Sequence, residues 1–324
     1  MPSQDSTLAT LAAHDAPVIN VHGPIISSSN LDIHLVMFEA FGLREIARLD
    51  RSIEETAAIW GTTGQASREI TMNTPGTPFG IRLIRFDPGL DVEIRQLSRG
   101  SDSEALKVID FYTPDLAAAR RQVEAAGFRF KDEVADYETA EGRFQEAHLW
   151  GPDGVVCALL AGAPEFFAEL ATVCDRTFSE PQSISGPVQD PEAVLAFLEN
   201  VFGLGVIHRY ELEDPTFQAL VGTSSRIKLR AWNVGPSKAE PYFGIVHYGM
   251  PKGTQTSLYD IARPPARGML GATLRVRDAA AIARKAGATV VRADVPGFGA
   301  ALTVTLQGPN GAWFQAVQIE DAAV

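Results

Sequence analysis

Two stretches of alternating residues place acid–base groups side by side. In RFQEAHLW, Ala147 and Leu149 suit a face packed on helices, which leaves Glu146 and His148 together on the opposite face. In LKVIDFYT, Asp110 and Tyr112 share the parity of Val108. A histidine beside a carboxylate is the usual composition of a general base working near neutral pH. His22, in VINVHGPII, and Glu93, in DVEIRQL, supply a second histidine and carboxylate. Later stretches differ in character. RIKLRAW sets Lys228, Arg230 and Trp232 on one face, against Ile227 and Leu229. GATLRV sets Thr273 and Arg275 against Ala272 and Leu274, and Trp313 and Gln315 share a face of the last strand. If those faces line a cavity, it is cationic, hydroxyl-rich and partly aromatic, and suits an anionic or enolisable oxygenated ligand. A solvated outer sheet face is the alternative, and parity does not choose between them.

The elements carrying these residues repeat. GATLRV, the alanine-rich AAAIARKAGA, AALTVTLQ, the turn GPNG and AWFQAVQ read as strand, helix and further strands. LKVIDFYTPDLAAARRQVEAAG, RFQEAHLW, GPDG and VVCALLAG repeat that plan. Two other units share a different detail: Gly-Pro in the first strand and Phe-Gly-Leu after the helix, at Phe41 and at Phe202. VINVHGPII, LDIHLVMFEAFGL, REIARLD, GIRLIRF and DVEIRQL make up the first of these, with Gly42 ending its helix. The region around Trp60 has no clear pattern. Units of two kinds in the order A-B-A-B point to tandem duplication of a two-unit half. The divisions expected are an arm at residues 1–16, a two-unit half at 17–162, a connector helix at 163–180 and a second half at 181–324.

Composition bounds the function. The 324 residues are 45% hydrophobic and 21% charged, with a net charge of −12. Such an acidic globular chain repels phosphate backbones and anionic membrane surfaces. No apolar run approaches the roughly 20 residues of a membrane span. The N-terminal residues lack the basic and apolar regions of a signal peptide. Cys157 and Cys174 form no disulfide framework. A cytoplasmic protein acting on a small molecule is expected. No GxGxxG after a strand, P-loop, GxSxG or CxxC is present.

Four βαβββ units with Phe-Gly-Leu helix ends and GP[DN]G turns resemble the vicinal oxygen chelate superfamily, which includes glyoxalase I, the extradiol dioxygenases and the bleomycin-resistance proteins. The resemblance spans about residues 17 to 319. It implies an α+β fold of four modules paired into two incomplete β-barrels around cavities. The exposed edges of such barrels make a homodimer an expectation.

In the metal-using members, ligands lie on the first and last strands of each unit. His22, twenty residues before Gly42, and Glu93 take those places in the first unit, as ligands for one Fe, Mn or Zn ion or as acid–base groups. The other units depart from the pattern, with Val108 and Ala158, Ser185, and Gly271 and Gln315 at the matching places. The expected catalytic set is His22, Glu93, Glu146 and His148. The expected substrate-binding set is Tyr112, Lys228, Arg230, Trp232, Arg275 and Gln315. His14, His34 and His208 are expected to stay outside catalysis. The resemblance implies a lyase or isomerase that moves a proton and stabilises an enolate. The alternatives are a metal-free sequestering protein of the bleomycin-resistance kind and an extradiol dioxygenase with a displaced site.

Overall fold

A computed structural model of the chain describes residues 16–139, 142–251 and 253–320. Apart from Ala16, the expected N-terminal arm, with His14, lies outside the described residues. The first unit comprises β1 (Val18–Ser27), α1 (Leu31–Ala40), β2 (Arg44–Arg51), α2 (Ile53–Trp60), β3 (Ala66–Asn73) and β4 (Gly80–Asp87). The second comprises β5 (Val108–Thr113), α3 (Leu116–Ala125), β6 (Phe130–Thr139), β7 (Gly142–Trp150) and β8 (Val156–Ala161). The connector α4 (Pro164–Leu170) leads to β9 (Ser183–Pro187), α5 (Pro191–Phe202), β10 (Val206–Leu212), α6 (Pro215–Val221), β11 (Leu229–Val234) and β12 (Tyr242–His247). The fourth unit comprises β13 (Gly268–Val276), α7 (Ala279–Ala286), β14 (Val291–Val295), β15 (Gly299–Gln307) and β16 (Trp313–Ile319).

The units share one starting device. Asp115, Asp190 and Asp278 cap α3, α5 and α7, each accepting from the backbone N–H three residues on, and Asn30 caps α1. These short carboxylate and amide side chains satisfy amides that the first helical turn leaves without partners. Aligning the caps puts Gly23 and Gly271 at one position, and the backbone agrees. A Cβ built on Gly23 would lie 1.7 Å from the Gly80 carbonyl oxygen, and one on Gly271 would lie 1.6 Å from that of Trp313. First and last strands approach so closely there that only glycine fits. Gly271→Ala is therefore expected to cost about 2 kcal/mol of overpacking strain, read as a lower unfolding midpoint in denaturant. An unchanged midpoint would contradict the close approach.

This alignment corrects two expectations. His22 precedes the position equivalent to Gly271 by one residue. Glu93 is not on a last strand at all: β4, in GIRLIRF, is the last strand of its unit, and Arg82 occupies the place of Gln315. The displacement arises from β3, which follows α2 beyond the unpatterned region around Trp60 and makes GIRLIRF the last of three strands. DVEIRQL forms no strand. Glu93 makes only an isolated bridge with Arg267, while the buried Arg95 guanidinium donates to the Asp102, Glu104, Ala105 and Leu106 carbonyls.

The units do not pair within sequence halves. One eight-stranded sheet has the order β14-β15-β16-β13-β1-β4-β3-β2, joining units one and four. The other has the order β10-β11-β12-β9-β5-β8-β7-β6, joining units two and three. Phe41 of unit one packs on Phe111 of unit two, with ring centroids 4.6 Å apart. Phe202 of unit three packs on Phe314 of unit four at 5.6 Å. A shared apolar core thus runs between the two sheets. No helix among the described residues is long and apolar enough to cross a membrane.

Candidate functional site

The two barrels have different interiors. That of units one and four is filled. The buried Glu69 carboxylate accepts from Arg51 at 2.9 Å, from Arg82 at 2.7 Å and from the Trp60 indole at 3.3 Å. Arg82 also donates to Gln315 and to Thr273. Burial alone raises the Glu69 pKa, but the two guanidiniums outweigh it and hold it below the ordinary value. The edges of this sheet meet where Arg51 donates to the Asp294 carbonyl and Thr71 to that of Pro296. Phe298, beyond that corner, sets its ring edge-on to His22. His22 is 1% exposed, and its Nδ1–H donates to the Pro78 carbonyl at 2.7 Å. Burial and the nearby Arg82 charge lower its pKa to about 4, against the raising effect of the Pro78 bond.

The barrel of units two and three encloses a cavity of about 210 Å³. Tyr112, Tyr137, Tyr210, Tyr242 and Tyr248 line it, five of the chain's six tyrosines. This concentration makes the wall aromatic with polar tips. Asp110, Glu146 and His148 reach the same cavity from β5 and β7. Strand alternation puts them there: Glu146 and His148 are two residues apart on β7, and His148 faces Ala158 across the ladder to β8. The small Ala158 leaves room for the imidazole. On the opposite wall Gly244 pairs with Ser185 of β9. Helix α6 packs along β6, where Lys131 donates to the Leu220 carbonyl at 2.8 Å and the Asp136 amide donates to the Thr216 hydroxyl at 2.9 Å.

The polar groups form one chain. His148 Nε2–H donates to Glu146 Oε1 at 2.7 Å, and the Tyr137 hydroxyl donates to Glu146 Oε2 at 2.9 Å. His148 Nδ1 is then a buried acceptor with no partner among the described residues. Burial lowers the His148 pKa more than Glu146 raises it, so the free imidazole is favoured. Glu146 stays ionised, because the His148 and Tyr137 bonds overcome its burial. Asp110 has the opposite balance. Burial, with the Glu146 charge added, pushes its pKa up to about 8, although the Ser183 hydroxyl bonds to it. The Tyr112 and Tyr242 hydroxyls are bonded at 2.9 Å nearby.

A protonated Asp110 carries a stability signature. Between its ordinary value of 3.8 and about 8, the folded chain keeps this proton and the unfolded chain releases it. Its contribution is complete below that window and is lost as pH rises through it. Asp110→Asn removes the titration while keeping the shape. The variant is expected to be more stable than the parent by a margin that grows from pH 4 to pH 8, by up to about 1.4 kcal/mol per pH unit. Denaturant melts across that range test this, and a margin independent of pH would refute it.

The remaining sequence candidates lie elsewhere. His22 is shut inside the other barrel. Glu93 is 37% exposed and 3.7 Å from Arg267, near the Ser27 end of β1, about five strand residues or roughly 16 Å along the chain from His22. At that separation the two cannot bind one ion together, so the expected metal pair is not formed. Lys228 and Arg230 are exposed, and Arg230 lies over the half-buried Trp232 ring at 5.7 Å. Of that strand it is Leu229 and Asn233 that line the cavity, so the basic face is the outer one. Gln315 is inside the filled barrel, and Arg275 is half-buried on β13. His34 donates to Asp153 of the GPDG turn at 3.0 Å. His208, expected to be a bystander, lines the cavity, as does Lys107.

The residues do not fit the divalent metal that the resemblance implies. In the filled barrel, Arg82 already directs its positive guanidinium at Gln315 and Thr273. Elsewhere, no three His, Cys, Asp or Glu among the described residues group closely enough to hold an ion.

No family model and no curated protein matches the sequence. Solved structures do match the fold. A variant of glyoxalase I from Zea mays superposes with a TM-score of 0.60 at 13% identity, over 97% of this chain and 96% of that one. A putative dioxygenase from Bacillus subtilis subsp. subtilis str. 168 gives a TM-score of 0.55 at 13% identity, over 95% and 87%. The chain thus has the paired-barrel fold of the vicinal oxygen chelate proteins.

Proposed function

We propose that this chain is an enzyme of the lyase or isomerase kind, which moves a proton on a small oxygenated compound held in the cavity of units two and three. An aromatic or conjugated carbonyl compound suits the tyrosine wall. The observation that carries this reading is the His148 ring. Glu146 holds its Nε2–H, the ring lines a cavity that Asp110 also lines, and Nδ1 is a buried acceptor with no partner among the described residues. Nδ1 takes a proton from the carbon beside the carbonyl, and Glu146 stabilises the imidazolium that forms. Asp110, protonated at neutral pH, donates to the developing enolate oxygen. The neutral carboxylic acid suits this work because it binds the enolate without a metal.

The test is solvent exchange. A panel of small aromatic ketones and conjugated carbonyl compounds is incubated with the protein in deuterium oxide and followed by proton NMR. Exchange of a carbon-bound hydrogen, or a rearranged product, supports the reading. Saturable binding of panel members without exchange or product would instead favour a sequestering protein.

A further inference from the structure

Proton transfer leaves Lys107, a cavity-lining amine, without a task. Lys107 immediately precedes β5 and is 1% exposed, and its backbone N–H bonds to the Ser185 carbonyl at 2.7 Å, which fixes its place on the wall. Its Nζ donates to the Tyr248 hydroxyl at 3.2 Å and lies 5.6 Å from the centre of that ring. An ammonium has three N–H donors. Among the described residues, that neutral hydroxyl is the one hydrogen-bond acceptor for this Nζ. The carboxylate whose charge acts on it most, Glu146, already serves His148 and Tyr137. A buried ammonium so poorly satisfied gives up its proton readily. Burial, with the Arg95 charge added, lowers the amine to about 7, so a large share is uncharged at neutral pH.

We propose that Lys107 is a nucleophilic amine that forms a reversible imine with an aldehyde or ketone entering the cavity. The Nζ lone pair makes a bond to the carbonyl carbon, and the C=O π pair moves to oxygen. The carbinolamine then breaks its C–O bond, and the oxygen leaves as water with the two amine hydrogens. No electrons are gained or lost, and no co-reactant is needed. The Tyr248 hydroxyl, bonded to Nζ, is the adjacent proton carrier. Desolvated lysine in an apolar wall is the chemistry such a step requires. The proposal does not depend on proton transfer by His148, and its failure would show separately.

The experiment traps the imine. The full-length protein is treated at pH 7 with limiting benzaldehyde, and in parallel with propionaldehyde, in the presence of sodium borohydride. It is then digested and mapped by mass spectrometry. Lys107 is expected to carry the alkyl group before Lys228 and Lys285, which are exposed outside the cavity, by at least about tenfold in extent. Borohydride without aldehyde should leave it unmodified. If both aldehydes label the exposed lysines while Lys107 stays unmodified, the proposal is wrong. The wild-type map decides this without a variant. Lys107→Met, with its fold checked by circular dichroism, should lose the preferred label.

Discussion

Replacing Glu69 by alanine is expected to destabilise the fold by about 3–5 kcal/mol, a loss of roughly 10 °C in the melting temperature. Glu69 lies between two buried guanidiniums and also accepts from Trp60. Its removal leaves Arg51 and Arg82 with uncompensated charge in a space closed to water, and the indole N–H without its acceptor. Exposed pairs have no such leverage. Arg48 and Glu45 are 2.6 Å apart, but the arginine side chain is 59% exposed. Glu45→Ala should therefore change stability by less than about 1 kcal/mol. Pairing Glu69→Leu with Arg82→Met should recover part of the loss, because an apolar filling dispenses with the desolvation cost. A Glu69→Ala protein that melts with the parent would show that the network carries no structural weight.

That network also explains what could be foreseen from sequence and what could not. Alternation along a strand is local. Asp110, Tyr112, Glu146 and His148 fall on one wall because their spacing matches the strand period. Which unit shares a sheet with which is not local. β1 is hydrogen-bonded to β13, some 250 positions away in sequence, so His22 lies with unit four and not with Glu146 and His148. The short helix α2, with its capping box at Ser52 and Glu55, precedes β3, and β3 carries no alternation strong enough to mark it as a strand. Counting β3 moves the last-strand position from Glu93 to Arg82. The face of β11 was a choice between two sides, and the apolar side lines the cavity while Lys228 and Arg230 take solvent. Lys107 had no pattern to reveal it. It precedes β5, and its burial follows from the pairing of β5 with β9.

His148→Ala should lower any exchange rate found in the deuterium experiment by about 10²–10⁴-fold. It removes Nδ1, the acceptor proposed to take the proton, while the loss of one ring from a cavity wall disturbs little of the core. Circular dichroism and denaturant melts separate this from unfolding. His148→Gln should not rescue, since a carboxamide accepts a hydrogen bond but not a proton. The pH profile gives a second, independent readout. The base must be neutral, and burial holds His148 below its ordinary value. The acid must be protonated, and Asp110 loses its proton at about 8. The rate should therefore be flat around neutrality and fall about tenfold per pH unit above 8. Asp110→Asn should be slower throughout and lose that alkaline limb, because an amide has no proton to release. The limb belongs to Asp110 and Glu146 jointly, since the charge on one raises the other. Glu146→Gln should consequently move the limb toward lower pH, a shift that a purely structural role for Glu146 would not produce. A profile that keeps its alkaline fall in Asp110→Asn would assign the acid to another group.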